Sequence, residues 1–226
     1  MPMKGSGDTT DWRVIDRFDH GVGWIAYPDE RMQRASHALA TDDGVWVIDP
    51  VDVDGLDDLL AEYGSVEGVV ILLDRHKRDC AEVANRHGVS VWVPEFMDGV
   101  VEELDAPVER FRHDLADTGY ALHEIVNNRF WQEGLLYNRA NGVLVVPESV
   151  GTTSYFRTKS EQLGVHPMMR LTPPRYLSRL EPTHIRVGHG EGVHEDAAQK
   201  LQDAISNSRT HTPALAVKNI RGLLPF

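Results

Sequence analysis

Gly68-Val69-Val70-Ile71-Leu72-Leu73, followed at once by Asp74-Arg75-His76-Lys77-Arg78-Asp79, is the stretch on which the reading of this chain turns. The apolar run reads as a buried strand, so the charged hexapeptide sits at a strand's carboxyl end, where open α/β sheets place ligands and chemistry. Its histidine and aspartates are metal-ligand types, yet two arginines and a lysine are mixed among them. It is a metal site, a metal site that has been lost, or a salt-bridged loop, and the choice decides what the protein does.

The flanking segments predict alternating strands and helices. Val45 to Ile48, running into Asp49-Pro50, reads as the preceding strand. Gly55 to Tyr63, with Leu56, Leu59 and Leu60 on one face and Asp54 as N-cap, reads as the helix between them. Asp79 to His87, stopped by Gly88, predicts the next helix and Val89 to Val93 the next strand. This β-α-β-α-β series is the pattern of parallel strands joined by crossover helices. Ahead of it, Trp12 to Phe18 and Gly23 to Tyr27 predict a hairpin around Asp19-His20-Gly21. Behind it, Tyr120 to Val126, Glu133 to Tyr137 and Gly142 to Val146 are the close-spaced strands of an antiparallel meander. Helical segments are expected over Tyr155 to Leu163, Pro174 to Leu180 and Glu195 to Ser206, with a short strand, Thr183 to Val187, before Gly188-His189-Gly190. We expect a flexible tail over residues 1–10 and a single domain over 11–226.

With 226 residues and 41% hydrophobic content the chain can build a core of its own. A net charge of −12, from 35 acidic against 23 basic residues, disfavours nucleic acid as a partner. No run approaches the roughly 20 apolar residues of a membrane helix, and the first residues lack the apolar region of a signal peptide. We therefore expect a cytoplasmic protein without a membrane partner. Asp-rich segments such as Asp52 to Asp58 suit a high-salt cytosol or an ordinary acidic surface. The single cysteine, Cys80, excludes an internal disulfide and any zinc site built from several thiolates, so a transition metal would rest on His, Asp and Glu. The apolar end, Ile220 to Phe226, calls for cover by the domain or by a second subunit in a homo-oligomer.

Four segments carry a family resemblance. They are Ser36 to Pro50 with its acidic turn Thr41-Asp42-Asp43-Gly44, Leu72 to Asp79, Gly142 to Glu148, and Ile185 to Gly190 followed by an Ala- and Leu-faced helix. Their order and spacing, over about Ser36 to Ser208, resemble the metallo-β-lactamase fold superfamily. That family has an opening hairpin ending in Ile-Asp-Pro or similar, a His-x-His-x-Asp-His motif, a strand ending in a metal-bridging Asp, and a terminal Gly-His-Gly. The resemblance implies an α/β fold, an αββα sandwich of two mixed β-sheets flanked by helices. It also implies one or two metal ions, usually zinc or iron, whose bound hydroxide attacks an ester, amide, thioester or phosphodiester. The chain departs from the ligand pattern at most positions. Asp74 stands at the motif's first His, Arg78 at its Asp and Asp79 at its last His; Asn128 falls near a further His, and Glu148 replaces the bridging Asp. Only His76 and His189 keep the family's residue type, and a slip of one residue between Arg75 and Cys80 would remove His76 from its slot.

Arg78 argues against a dinuclear centre. A divalent ion about 4 Å from a guanidinium is repelled by roughly 8 kcal/mol at an effective dielectric of 20, and arginine cannot escape by losing a proton. The reading we favour is a member that has lost the dinuclear site. It would be a metal-free or weakly metal-binding module for a small anion, or a regulatory one, without a cofactor. Arg78 or Arg75 then supplies the positive charge, pairs with Asp79 and Glu148, and shares a small anionic ligand with Asn128 and Trp131. The alternative is a mononuclear hydrolase of an ester, thioester or phosphodiester. It would hold one Zn, Mn or Fe ion on His76, His189, Asp74, Asp79 and Glu148, with Asp79 or Glu148 as catalytic base. Trp131 either stacks on a flat ligand or anchors its loop. Cys80 is either a nucleophile served by His76 or a small buried residue. Thr152 to Tyr155 read most simply as a helix N-cap, and His113, His123, His166, His184 and His194, without ligand spacing, as solvated or structural.

Overall fold

The computed structural model describes residues 2–4 and 11–221. Seven strands lie side by side in chain order: β1 (Arg13–Phe18), β2 (Gly21–Ile25), β3 (Ala35–Ala40), β4 (Val45–Ile48), β5 (Val66–Val70), β6 (Val91–Pro94) and β7 (Val108–Phe111). The first four pair antiparallel, β1 to β2 and β3 to β4 through tight turns and β2 to β3 through residues 26–34. From β4 onward the pairing is parallel, because the helices α1 (Leu56–Ala61) and α2 (Cys80–His87) and the short α3 (Asp98–Val101) return the chain to the same end of the sheet. A second sheet contains β8 (Ala121–Asn128), β9 (Trp131–Asn138) and β10 (Val143–Val146) as the expected meander. After the small pair β11 (Val150–Gly151) and β12 (Gly164–Val165), the chain returns as β13 (His184–Val187), parallel to β10. The last helix, α4, spans Ala197–Arg221.

Side-chain alternation sorts these elements into layers. Val45, Val47, Val69 and Ile71 face α1 and α2, whereas Trp46, Ile48, Val70 and Leu72 meet Leu136, Val143 and Val145 of the second sheet. Leu144, Val146, Ile185 and Val187 pack against Leu201, Ala204 and Ile205 of α4. The result is the expected αββα sandwich of two mixed sheets.

Several expectations need correction. Asp54 is not a cap: Gly55, at φ +79°, occupies the N-cap of α1. No helix forms over Tyr155 to Leu163, and Thr152 to Tyr155 therefore cap nothing. Pro174 to Leu180 contains only a 3-10 turn, Arg175–Arg179. Residues 1 and 5–10 of the expected tail lie outside the described residues, while the Pro2 and Met3 carbonyls accept hydrogen bonds from the Arg31 and Met32 amides. Of the apolar C-terminal end, Ile220 is exposed and 222–226 lie outside the described residues. No helix among the described residues is long and apolar enough to cross a membrane.

One crossing positions the charged hexapeptide. After β5 the chain leaves the first sheet for the second: Leu72 accepts from the Gly134 amide at 2.8 Å, and the Asp74 amide donates to Gln132 at 3.0 Å. Residues 74–79 are thus strung between the carboxyl end of β5 and the start of β9.

Arg170 fastens α4 to β12. It is wholly buried, pairs with Glu161 at 2.8 Å, and donates to the carbonyls of Phe156, Val165 and Ser208. Arg170→Leu strands the Glu161 carboxylate, so we expect a loss of about 3–5 kcal/mol of stability, measured by urea unfolding.

Candidate functional site

The site is assembled around Arg78, which adopts a left-handed backbone (φ +39°) and turns its side chain inward. Nη1 donates to the Ala35 and Asp49 carbonyls, both at 2.7 Å; Nη2 donates to Nε2 of His76 at 3.2 Å and reaches the Gly188 carbonyl at 3.4 Å. The other face of His76 is fixed by Asp49, whose Oδ2 lies 3.0 Å from Nδ1 while its Oδ1 accepts the Leu72 amide at 2.9 Å. Asp49 is also left-handed (φ +45°). Two strained residues persist here because several hydrogen bonds over-determine them. The carboxylate fixes the imidazole as a donor at Nδ1, which leaves the Nε2 lone pair to the guanidinium. Burial raises the Asp49 carboxyl to about 7, opposed by Arg78 and the Leu72 amide.

A second arginine holds the carboxylate of the site. Arg75 Nη2 lies 3.0 Å from Glu148 Oε2, Nη1 donates to the Phe130 carbonyl, and the guanidinium rests 4.3 Å over the Trp131 ring. Beneath, the fully buried Glu133 receives four hydrogen bonds, from the Glu148 and Ser149 amides, the Ser149 hydroxyl and the Trp131 indole, and so fixes the turn that carries Glu148. Burial raises Glu133 to about 7 against those four donors.

His189 completes the group. Its Nδ1 donates to the Met32 carbonyl at 3.1 Å, its ring stacks on Phe156, and its Nε2 is buried without a partner. One ligand atom each from His76, Glu148 and His189 lie within 4.8 Å of one another, and these three residues could hold one metal ion. A tetrahedral ion with ligands near 2.0–2.2 Å needs donor atoms only about 3.3 Å apart. As arranged, Arg78 stands on the His76 lone pair and Arg75 on Oε2 of Glu148, while Oε1 of Glu148 has only His166 at 3.6 Å and Nε2 of His189 has no partner. His76 is held well below its ordinary pKa by burial, then by Arg78, Arg75, Lys4 and Arg34; His189 is lowered by burial and by His76 and Arg78.

No protein-family model matches the chain, nor does any curated protein sequence. Solved structures do match. The DIM-1 metallo-β-lactamase exposed to ceftazidime is 10% identical, with a TM-score of 0.61 over 89% of this chain and 100% of that one. The metallo-β-lactamase from Pontibacter korlensis is 13% identical, with a TM-score of 0.59 over 87% and 100%. A putative diflavin flavoprotein fragment from Nostoc is 14% identical, with a TM-score of 0.63 over 93% and 100%. The chain has the metallo-β-lactamase fold. At these identities the likeness is one of fold alone, and this version of the metallo-β-lactamase fold must be read from its own side chains.

Of the residues singled out in the sequence, His76, Glu148 and His189 converge, with Arg75, Arg78 and Trp131 around them. Asp74 and Asp79 do not join. Asp74 Oδ2 accepts the Gln132 amide while its Oδ1 lies 3.7 Å from Arg75 Nη1, and Asp79 Oδ2 accepts the Asp52 amide at 2.7 Å. Asn128 is exposed and closes the β8–β9 turn by accepting the Phe130 amide. Glu148 pairs with Arg75, not with Arg78. Cys80 is a buried residue whose thiol is pushed well above its usual range by burial, which removes the nucleophile reading. Three residues of the site carried no role in the sequence reading. Asp49 was visible only as the end of an Ile-Asp-Pro strand, and Glu133 as a strand residue. His166, read as solvated or structural, is buried with its Nε2 3.6 Å from Glu148 and its ring edge-on to Trp131.

The buried histidines set a pH dependence. Burial lowers His20, His37 and His166 to about 4, and His76 and His189 shift the same way. Each resists protonation in the folded state, so the stability it permits is complete above the unfolded value near 6.5 and is lost as pH falls towards about 4. Asp49 and Glu133, raised to about 7, act oppositely, since the folded state takes up their protons first. With more imidazoles than carboxyls in play, we expect a net loss of stability between about pH 7 and pH 5 in urea unfolding. A rise over that interval would show that the carboxyls dominate.

Proposed function

We propose that this protein is a metal-independent binding module for a small anion, in which a guanidinium does the electrostatic work that a metal ion does in hydrolases of this fold. The observation that carries the reading is the setting of Arg78: main-chain carbonyls from the ends of two strands and the loop after a third, together with a histidine lone pair, form a cation cradle, and the chain fills it with its own cation. In this reading the charge of Arg78 opposes a resident divalent ion on His76, Glu148 and His189. Arg75 acts on His76 as well as Arg78, in a chain of net charge −12. Arg75 is the exposed member, its side chain 42% accessible, and can receive a phosphate or carboxylate in a bidentate grip while Trp131 supports its face.

One observation favours the second reading, a mononuclear hydrolase. Nε2 of His189 is a buried lone pair without a donor, which a metal would satisfy. In that case one Zn, Mn or Fe ion would supply Lewis-acid chemistry, with Glu148 rather than Asp79 placed to act beside it.

The two readings separate on metal response. Stoichiometric metal in protein purified without chelator, or a rise in Tm on adding zinc, manganese or iron to the wild type, overturns the metal-independent reading. We expect neither. In Arg78→Ala the cradle and the His76 lone pair are freed, so this variant should be less stable than the wild type yet gain a zinc-dependent rise in Tm. Arg75→Gln should weaken binding of inorganic phosphate at this site by about 10-fold or more in calorimetry, with little change in Tm.

A further inference from the structure

A second concentration of positive charge lies outside this site. The 3-10 turn Arg175-Tyr176-Leu177-Ser178-Arg179 buries Leu177 and leaves Arg175, Ser178 and Arg179 around a depression of about 390 Å³. Ser206, Ser208 and Arg209 of α4 close its other side, with Pro173 and Ile205. No acidic residue lines it. Among the described residues no carboxylate lies within ion-pair distance of any of the three arginines; Arg209 spends Nε on the Leu171 carbonyl and keeps its two terminal nitrogens. Ser178 and Ser208 donate to main-chain carbonyls, and the Ser206 hydroxyl remains without a partner.

In a chain with 35 acidic residues, three guanidiniums gathered without one of them are a local cost. Like charges repel, and the surplus acids elsewhere on the surface would relieve that repulsion if they stood here. The arrangement is relieved instead by a compact multivalent anion that accepts several N–H groups at once, and arginine forks match phosphate oxygens in both geometry and charge. A monovalent ion meets only one fork and leaves most of the repulsion in place.

We propose that the pocket between the 175–179 turn and α4 is a binding site for a phosphomonoester group, held by Arg175, Arg179, Arg209 and the Ser206 hydroxyl. The group comes either from a soluble phosphate or from a lipid headgroup, for which the exposed Leu171 beside Arg209 would be the apolar neighbour. The site is separate from the Arg75 cleft and does not depend on what that cleft binds.

Inorganic phosphate serves as the probe, titrated calorimetrically into the full-length protein at constant ionic strength. Because the cleft also takes phosphate under the reading above, the background is Arg75→Gln, in which the remaining binding reports this pocket. We expect Arg179→Gln and Arg209→Gln each to weaken that binding by about 10-fold or more, and Arg175→Gln/Arg179→Gln together to abolish it. All are surface changes, so circular dichroism should show unaltered folding. Flotation with vesicles containing phosphatidate, against vesicles of phosphatidylcholine alone, separates the two sources: phosphatidate-dependent flotation lost in the double variant assigns the lipid, and its absence alongside phosphate binding assigns the soluble ligand. The proposal falls if neither phosphate nor phosphatidate vesicles bind in the Arg75→Gln background, or if whatever binds is indifferent to Arg179 and Arg209.

Discussion

The Arg78 guanidinium is the interaction on which the rest of the site depends. Its acceptors come from the start of β3, the end of β4, the loop after β5 and the end of β13, so a single planar cation joins both sheets at the end where their strands terminate. Without it, the Asp49 and Gly188 carbonyls would keep only the Ser36 hydroxyl and the Ala35 amide as donors, and the left-handed backbones of Asp49 and Arg78 would lose part of what holds them. His76 follows from this knot. Its tautomer is set by Asp49 and its free nitrogen is covered by Arg78, so its chemistry is decided by neighbours that are themselves fixed. Glu148 is governed separately, by the buried Glu133 below and Arg75 above.

The electrostatics divide the molecule. The chain carries a net charge of −12, yet Arg78 and Arg75 stand beside His76 together with the carboxyls of Asp49 and Glu148, and burial adds to the arginines in keeping His76 and His189 uncharged. A neutral imidazole pair beside fixed positive charge is a poor place for a second cation and a good one for an anion. The charge of Arg78 belongs to a side chain anchored on main-chain carbonyls and cannot leave.

How much of this was legible follows from which residues speak locally. The β-branched runs Val45 to Ile48 and Val69 to Leu73, and the stop at Gly88, declare their elements directly, and the order of the four motif segments was enough for the sandwich. The C-terminal helix was cut short at Ser206 because the residues after it, Arg209 to Pro213, have no apolar face; α4 continues across them to place Leu215 in the core. Tyr155 to Leu163 has a helical pattern but no helix, since the Thr158 amide is taken by the Glu161 carboxylate and Glu161 is held by Arg170, contacts no local pattern reveals. For the same reason Asp49 and Glu133 escaped notice. Each is a lone acid in a strand, and its role exists only once β5 has crossed to β9. Asp74 and Asp79 are of ligand type, and the Gln132 and Asp52 amides each hold one of their oxygens.

Arg78, half-buried, and Arg170 and Arg186, wholly buried, can be set against one another as three answers to the same problem. Arg170 has a carboxylate and three carbonyls, so it is neutralised within the chain. Arg78 has carbonyl dipoles and an imidazole but no carboxylate in contact, so it keeps a net charge that the surroundings feel, and His76 and His189 register it. Arg186, wholly buried, has only the Val22 and Ala38 carbonyls on Nη1, with Nε and Nη2 unpartnered, and its charge is felt by His37 and His20. A protein that needed only stability would answer as at Arg170, because an uncompensated buried charge is destabilising. Arg170 is thus neutralised within the chain, whereas the charge of Arg78 faces the group formed by His76, Glu148 and His189.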